Sequence, residues 1–355
     1  MTYLKDAWYA AAWDHEVTSE GKPLARTILD QPVVFYRDAA ANPIALADRC
    51  PHRFAPLSRG KVVDGLIECG YHGLRFGSAG VCVHNPHGPI PKAARVASFP
   101  LLERFGLVWI WMGEPAGADA GKLPDFSVIA GDDQHAVVRG YLHVRANYEL
   151  VTDNLLDLSH AAYLHPFLGN PDSSERNRFE MKQTGNTVWA YNTMPGEPLT
   201  KLFKMMWTSP SEVGDRRAHM RWDPPANLLL DVGFTECGRP ESEGPAMPSA
   251  HLLTPETERT THYFWAAARN RGLDNAELGE KIRAGMDSAF RLEDEPMIVE
   301  CQDRMGQVDL MSLQPVMLPT DVAAVRARRV LAGLIGAENA SAPMTSVPAS
   351  SNFPT

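Results

Sequence analysis

Cysteine and basic residues are both scarce in this chain. Its 355 residues include five cysteines, and 34 lysines and arginines stand against 43 aspartates and glutamates, for a formal net charge of -9. A small, odd number of cysteines argues against a disulfide framework and leaves thiols available for a metal. The acidic balance argues against a nucleic-acid partner, because binding to phosphates usually needs a basic surface.

Long apolar runs and phosphate-binding loops are missing as well. No stretch reaches the length of a membrane span, and residues 1–13 lack the basic and apolar regions of a signal peptide. No glycine-rich fingerprint for NAD or flavin follows a strand. We therefore expect a cytoplasmic protein with no membrane contact and no nicotinamide or flavin site of its own.

The chain length predicts two domains. Short β-branched runs separated by turn residues predict an all-β domain over residues 1–115, and a turn-rich linker follows at 116–123. Residues 124–338 mix helical and strand patterns and predict an α+β domain in which helices flank a mostly antiparallel sheet. The Ala/Ser/Pro-rich residues 339–355 predict an unstructured tail.

Two short segments in the all-β part each supply one cysteine and one histidine. Cys50 and His52 form a Cys-x-His pattern, and Cys69 and His72 form a Cys-x-x-His pattern. A common zinc finger places both cysteines first, whereas one of each per loop suits two neighbouring irons, one with two thiolates and one with two imidazoles. A [2Fe–2S] cluster of the Rieske type is the favoured interpretation, and a zinc knuckle is the alternative.

A second histidine pair lies in the α+β part. Asn154, Asp157 and His160 are three residues apart on a helix predicted over residues 148–164, so they should share a face. Pro166 disfavours helical geometry for His165. We therefore expect the helix to end near residue 164, with a turn that brings His165 back toward His160.

Two imidazoles and one carboxylate would form the facial triad of a non-haem iron oxygenase, so a third ligand is needed. A second predicted helix starts at Asn275, and Asp294 lies four residues after Phe290 and four before Ile298, near an apolar stripe. The alternative is that Asp294 caps a new helix with Pro296 in its first turn. Spacing alone leaves both interpretations open.

The motifs Cys50-Pro51-His52-Arg53 and Cys69-Gly70-Tyr71-His72-Gly73 resemble those of the Rieske non-haem iron oxygenases. The resemblance covers most of the chain and is greatest to the group of vanillate and dicamba O-demethylases. It implies a [2Fe–2S] cluster, a mononuclear Fe(II) bound by His160, His165 and Asp294, and O₂ as a co-substrate. Electrons would come from NAD(P)H through a separate reductase, with a ferredoxin as a further candidate partner.

The same resemblance implies an assembly and catalytic roles for the helix residues. Asp157, with Asn154 in the same motif, would serve catalysis by connecting His160 to His72 of a neighbouring subunit. A homotrimer is expected for this reason, since the path for electrons inside one chain would be too long.

The expected substrate is a small methoxylated aromatic acid similar to vanillate, which would be O-demethylated with release of formaldehyde. His251 is a candidate hydrogen-bond donor to it, although a buried strand histidine is the plainer interpretation. Leu230 and Gly285 replace a polar amide and a large aromatic residue of the dicamba enzyme, which implies a pocket of different shape. Two alternatives are hydroxylation of an aromatic ring or aryl methyl group, for example on an aryl sulfonate, and a non-catalytic Rieske electron carrier.

Overall fold

The computed structural model of the chain describes residues 3–170, 172–307 and 309–341. Strands without α-helices fill the first region, and a seven-stranded sheet with helices follows it, so the predicted fold class is confirmed. The domain limits at residues 115 and 123 stay a prediction. No helix in the described ranges has both the length and the apolar character needed to cross a bilayer.

Short antiparallel strands build the first region in three sheets. Residues 31–47 form a hairpin, with Val33 paired to Ala47. The sheet orders are β1-β11-β10, β2-β3-β4-β9 and β5-β6-β7-β8, and the strands are β1 Trp8–Trp13, β2 Leu24–Ile28, β3 Gln31–Arg37, β4 Pro43–Ala47, β5 Lys61–Val63, β6 Leu66–Glu68, β7 Arg75–Phe76, β8 Cys82–His84, β9 Ser98–Phe99, β10 Leu101–Arg104 and β11 Leu107–Trp111.

One antiparallel sheet organises the second region. Its order is β12-β18-β17-β16-β15-β14-β13, with the bounds β12 Ala136–Val144, β13 Arg178–Thr184, β14 Thr187–Pro198, β15 Val213–Asp223, β16 Asn227–Thr235, β17 Ser249–Thr257 and β18 Thr260–Arg269. Apolar and aromatic residues fill most of β16 and β18, which suits strands that are buried in the sheet.

The two faces of this sheet have different neighbours, because successive side chains of a strand point to opposite sides. On one face, Leu252 and Phe264 join a buried cluster with Trp109 and Trp111 of the first region. On the other face, Met220 and Leu228 belong to the main core together with the helices. The sheet therefore separates the tryptophan-rich contact with the first region from the helical layer.

The helices lie on the second face and are mostly short. They are α1 Tyr148–Leu156, α2 Ala161–Leu164, α3 Ser173–Arg176, α4 Lys201–Lys204, α5 Ala276–Ser288, a π-helical turn Ala289–Asp294, α6 Glu295–Met305 and α7 Val322–Ser341. The stripe predicted on the second helix is buried, with Leu278, Ile282 and Met286 in α5 and Phe290 in the π-helical turn.

The continuous helix predicted over residues 148–164 is wrong. Helix α1 ends at Leu156, and Asp157 adopts a non-helical backbone with φ -105° and ψ 88°. The Asp157 carboxylate accepts the backbone N–H of Ser159 at 3.0 Å, so it caps the turn that follows. An aspartate can compete for backbone donors in this way and break a helix whose apolar period continues. Asn154, Asp157 and His160 therefore do not share one helical face.

The predicted linker and tail are both ordered in part. Residues 116–123 fold into tight turns, and Leu123 is buried in the tryptophan-rich cluster. Helix α7 extends to Ser341, so the first three residues of the predicted tail are helical, and residues 342–355 lie outside the described ranges. Near its end, the Glu338 carboxylate accepts the backbone N–H groups of Lys5 at 2.9 Å and Asp6 at 2.6 Å.

A partly buried group of charged side chains connects α7 to α1. Arg328 donates to Glu149 at 2.7 Å and to both carboxylate oxygens of Asp153, the nearest at 2.7 Å. Burial raises the pKa of Asp153 above its usual value even though Arg328 opposes the shift. The guanidinium of Arg328 therefore compensates the negative charge of both carboxylates on α1, the helix that carries Asn154.

We expect Arg328→Met to lower the free energy of unfolding by about 2–3 kcal/mol, because it leaves two partly buried carboxylates without their cation. The adjacent Arg329 is exposed, and Arg329→Met should change stability by less than about 0.5 kcal/mol. Urea denaturation followed by tryptophan fluorescence compares the two variants. Equal losses would show that α7 is not fastened by this pair.

Candidate metal centres

The two cysteine–histidine segments fold into loops with the same hydrogen-bond pattern. In the first loop, Cys50 N–H donates to the carbonyl of Ala55 at 2.8 Å, and Phe54 N–H donates back to the carbonyl of Cys50 at 2.9 Å. In the second loop, Cys69 N–H donates to Leu74 at 2.8 Å, and Gly73 N–H donates to Cys69 at 2.9 Å. Each cysteine thus starts an equivalent tight turn.

The fourth residue after each cysteine has a left-handed backbone, with φ 60° at Phe54 and φ 73° at Gly73. Glycine adopts this conformation without strain, which explains Gly73, whereas Phe54 is strained by about 1–2 kcal/mol. The Phe54 ring is exposed and lies 3.9 Å from the guanidinium of Arg49. The matched turns place the two loops side by side with their ligand side chains facing each other.

The structure brings the four predicted cluster ligands together, with the cysteines inside and the histidines outside. Cys50 and Cys69 are both buried, while the rings of His52 and His72 lie 4.4 Å apart at the more exposed side. Burial, followed by the neighbouring Cys69, raises the pKa of the Cys50 thiol to about 11. Iron would supply the positive charge needed to hold both sulfurs as thiolates. This donor set fits a two-iron cluster with sulfur on one iron and nitrogen on the other.

His87 was not predicted from the sequence. Its Nε2 lies 3.0 Å from the carbonyl of His72, to which it can donate a hydrogen bond. The side chain thus ties the strand-end segment after β8 to the second cluster loop. The only signal in the sequence is a further histidine close to the motif, and spacing does not connect it to the ligands.

The second centre begins at the interrupted helix. His160 Nδ1 donates to the backbone carbonyl of Asp157 at 2.6 Å, which leaves Nε2 free to bind a metal. The Asp157 carboxylate is engaged elsewhere, with Ser159 N–H and with the Thr320 hydroxyl at 3.3 Å. Within one chain, Asp157 therefore supports His160 through its backbone, and a carboxylate bridge between subunits stays a prediction.

His165 lies where the sequence predicted it. Helix α2 ends at Leu164, and the non-helical backbone of His165, with φ -115° and ψ 88°, precedes Pro166. The turn brings the Nε2 atoms of His160 and His165 to 3.1 Å from each other. Two nitrogen donors therefore converge on one point.

Asp294 completes this group. Its Oδ1 lies 3.1 Å from His165 Nε2 and 3.4 Å from His160 Nε2, and it accepts a hydrogen bond from Asn154 Nδ2 at 3.1 Å. Asp294 makes no capping hydrogen bond to α6, although Pro296 does stand in the first turn of that helix. The geometry therefore favours ligation over the capping interpretation, and these three side chains could hold one metal ion.

A distortion of the helix explains how two consecutive acids reach the same ring. Glu293 and Asp294 end the π-helical turn, a wider turn that is often found at functional sites. Glu293 accepts a hydrogen bond from His165 Nδ1 at 2.7 Å, while Asp294 faces Nε2. Burial lowers the pKa of His165, but Asp294 and Glu293 outweigh it and raise the pKa above its usual value. Glu293 was not predicted from the sequence.

A mostly apolar cavity opens beside this group. Its lining includes the three candidate ligands together with Asn154 and side chains from β15, β16 and β17, among them Arg216, Leu230 and His251. His251 is 2% exposed and lies 2.6 Å from the Tyr263 hydroxyl through Nδ1. Burial lowers the pKa of His251 to about 4, so its ring is neutral near pH 7.

Gly285, which we expected at the substrate pocket, is not among the residues that line the cavity. A Cβ atom at this position would lie 2.5 Å from the ring of Phe167. The absence of a side chain therefore lets α5 approach the turn after His165. Leu230 does line the cavity, on the sheet face that carries Met220 and Ser249.

Comparison with known protein families covers both centres. Residues 7–100 match the Rieske [2Fe-2S] domain, and residues 144–337 match the C-terminal domain of the vanillate O-demethylase oxygenase. The first range contains the four cluster residues, and the second contains His160, His165 and Asp294.

Individual relatives match nearly the whole chain. The oxygenase component of dicamba O-demethylase from Stenotrophomonas maltophilia is 39% identical over 331 residues, which are 93% of this chain and 97% of the relative. The iron-sulfur subunit of the toluene-4-sulfonate monooxygenase system from Comamonas testosteroni is 36% identical over 351 residues, 95% of this chain and 98% of the relative. The crystal structure of dicamba monooxygenase bound to 3,6-dichlorosalicylic acid has a TM-score of 0.91 at 38% identity, covering 96% of this chain and 100% of that one.

We expect Asp294→Ala to remove the mononuclear iron while the cluster remains, so that bound iron falls from about three to about two atoms per chain. Elemental analysis and the visible spectrum of the purified protein measure the two losses separately. Asp287→Ala, which changes a half-exposed aspartate that pairs with Arg291 on the same helical segment, should keep all of the iron. Bleaching of the cluster in Asp294→Ala would contradict the separation of the two centres.

Glu293→Gln tests the support of His165. The amide can still accept from Nδ1–H but lacks the charge, and such outer partners typically change metal affinity by about 10–100-fold. We expect iron to be lost faster to a chelator during dialysis, with an unchanged cluster spectrum. Retention equal to that of the wild-type protein would mean that Glu293 has no influence on the metal.

Proposed function

We propose that this chain, which belongs to the Rieske non-haem iron oxygenases, removes the methyl group of a methoxylated aromatic acid similar to vanillate. The chain is the oxygenase component of a Rieske monooxygenase, with a [2Fe–2S] cluster, a mononuclear non-haem iron and O₂ as co-substrate. The proposal adds to this that the reaction removes an O-methyl group. The observation that carries the proposal is the convergence of His160, His165 and Asp294 at the wall of an apolar cavity.

The three candidate iron ligands lie together at one wall of the cavity. Two imidazole nitrogens and one carboxylate oxygen would hold Fe(II) and leave sites for O₂ and substrate on the cavity side, and the bound iron supplies the activation of O₂. Asn154 would keep Asp294 oriented through its hydrogen bond of 3.1 Å. Glu293 would keep the proton of His165 on Nδ1, so that Nε2 is available to the metal.

The cavity suits an aromatic ring. Its lining is mostly aliphatic and aromatic, which favours burial of a ring and excludes water from the reacting methyl group. Neutral His251 offers one ring nitrogen, Nε2, that has no hydrogen-bond partner among the described residues. A phenol or ether oxygen of the substrate is a suitable partner for it.

The overall reaction balances with electrons from outside the chain. An aryl methyl ether, O₂, two electrons and two protons give a phenol, formaldehyde and water, because the hydroxylated methyl group is a hemiacetal that collapses. We propose that a separate reductase, with or without a ferredoxin, delivers these electrons from NAD(P)H to the cluster. The homotrimer, with Asp157 between His160 and the His72 of another subunit, is part of the same proposal.

Hydroxylation of an aryl methyl group is a second candidate function. The relative from Comamonas testosteroni, named for toluene-4-sulfonate, is 36% identical to this chain, close to the 39% of the dicamba relative. A non-catalytic electron carrier is disfavoured, because such a protein would not need three potential metal ligands gathered beside a cavity.

We expect the purified chain, supplied with a reductase, NADH and O₂, to release formaldehyde from at least one methoxybenzoate. The Asp294→Ala variant should release none, and Asp287→Ala should match the wild type. Formaldehyde is measured by derivatisation, and the phenol is measured by chromatography. Toluene-4-sulfonate is incubated in parallel. A hydroxylated product from it, with no formaldehyde from any methoxybenzoate, would favour the second candidate and contradict the first.

A further inference from the structure

Arg216 is a buried guanidinium on the wall of the cavity beside the candidate iron ligands. It lies on β15, on the face that also carries Ala218 and Met220, and its exposed fraction is 9%. Arg216 Nη2 donates a hydrogen bond to the carbonyl of Leu168 at 3.0 Å. Its Nε, in contrast, is buried without a hydrogen-bond partner in the part of the chain that the structure describes.

A buried amide pair adds a second donor. A smaller cavity shares Leu158, Ala161, Arg216 and Ala218 with the first and is also lined by Asn177 and Asn192. Asn177 Nδ2 donates to Asn192 Oδ1 at 2.7 Å, and Asn192 Nδ2 has no partner among the described residues. Asn177 Oδ1 has no partner there either, so whichever way the two amides are turned, one NH₂ group and one carbonyl oxygen are left over.

Arg216 and Asn192 lie close enough to bind one group. In the antiparallel pairing of β14 with β15, Asn192 is opposite Ala218 and Met194 is opposite Arg216, so all four side chains are on one face. Asn192 and Arg216 are therefore diagonal neighbours, a distance that long side chains can span.

A buried carboxylate lies on the neighbouring strand. Glu197 is fully buried, accepts a hydrogen bond from Asn170 at 3.1 Å, and lies 4.0 Å from Arg176, whose side chain is partly exposed. The buried Nε of Arg216 still has no hydrogen-bond partner among the described residues. A buried donor of this kind is costly unless an acceptor approaches it.

We propose that Arg216, together with Asn192, binds the anionic substituent of the aromatic substrate, a carboxylate or sulfonate. The inference rests on the proposed function in placing an aromatic ring in the cavity. A planar guanidinium and an amide NH₂ match the oxygens of either anion. The anion would replace the missing partners of Arg216 Nε and Asn192 Nδ2.

In this assignment the anion binds away from His251, which the sequence analysis gave as a candidate hydrogen-bond donor to the substrate. Register places His251 opposite Leu228, which is opposite Trp222, six residues along β15 from Arg216. Six residues of strand span about 20 Å. Arg216 and His251 therefore lie toward opposite ends of the sheet face under the cavity, and the anion is assigned to the end that carries Arg216.

Binding measurements with matched pairs of ligands test the proposal. The probes are 4-methoxybenzoate with 4-methoxybenzamide, and toluene-4-sulfonate with toluene-4-sulfonamide, titrated into the cluster-loaded protein by calorimetry. We expect the preferred anion to bind at least about tenfold more tightly than its amide, because hydrogen bonds to a charged group are stronger than those between neutral groups. The two arms show whether carboxylate or sulfonate is preferred.

Arg216→Gln should weaken binding of the preferred anion by about 10–100-fold and change binding of its amide by less than about threefold. Arg217→Gln is the matched control, because the adjacent side chain points to the opposite face and pairs with Asp231 at 2.9 Å. It should leave both affinities unchanged. Arg216→Lys should restore part of the preference for the anion.

Equal losses for anion and amide in Arg216→Gln, or an unchanged affinity for the anion, would overturn the proposal. If Arg216→Gln does not fold, the wild-type protein still decides, because no preference for either anion over its amide would also overturn it. Formaldehyde release is scored separately. Anion binding that depends on Arg216, with no release of formaldehyde, would support this site and contradict O-demethylation. Release of formaldehyde from neutral methoxyarenes alone would support O-demethylation and contradict this site.

Discussion

The mononuclear centre depends on how one imidazole ring is held. The two nitrogens of His165 face two consecutive acids, Glu293 at 2.7 Å and Asp294 at 3.1 Å, and both acids belong to one π-helical turn. In a regular α-helix, neighbouring residues diverge by about 100° and would not both reach one ring. The wider turn is anchored by Phe290, which is buried in the main core. Apolar packing therefore sets the position of the ligands relative to the sheet.

The sheet gives the two regions of the chain a shared support. One face meets the tryptophan-rich strands β1 and β11 of the first region, and the other face forms the floor of the cavity. Alternation along β15 is enough to separate Arg216 from Arg217, so that one lines the cavity and the other pairs with Asp231. Two arginines that are adjacent in sequence therefore make different contacts on opposite faces of the sheet.

Much of both centres could be predicted from the sequence, and the misses have physical causes. Cys50, His52, Cys69 and His72 were identified because residue type and spacing suffice for a cluster loop, and Pro166 correctly predicted where His165 leaves the helix. The break at Asp157 was missed because an apolar period says nothing about a side chain that caps the next turn.

Other features depend on contacts distant in sequence. Spacing left Asp294 between two interpretations, since a π-helical turn has no clear sequence signal. Gly285 was assigned to the pocket by resemblance, but it makes room for Phe167. Arg216 was overlooked because the burial of a strand arginine depends on register with neighbouring strands.

The arrangement of the cluster ligands has a consequence for the durability of the protein. Cys50 and Cys69 are each 1% exposed, whereas the imidazoles of His52 and His72 lie on the outer side. Sulfur is the ligand atom that oxidants attack, and attack requires access to a thiolate. A protein that works with O₂ thus presents its less oxidisable nitrogen ligands to the solvent. An electron donor that docked at these loops would meet the same nitrogen side, so the two loops that bury the sulfurs would also receive the electrons.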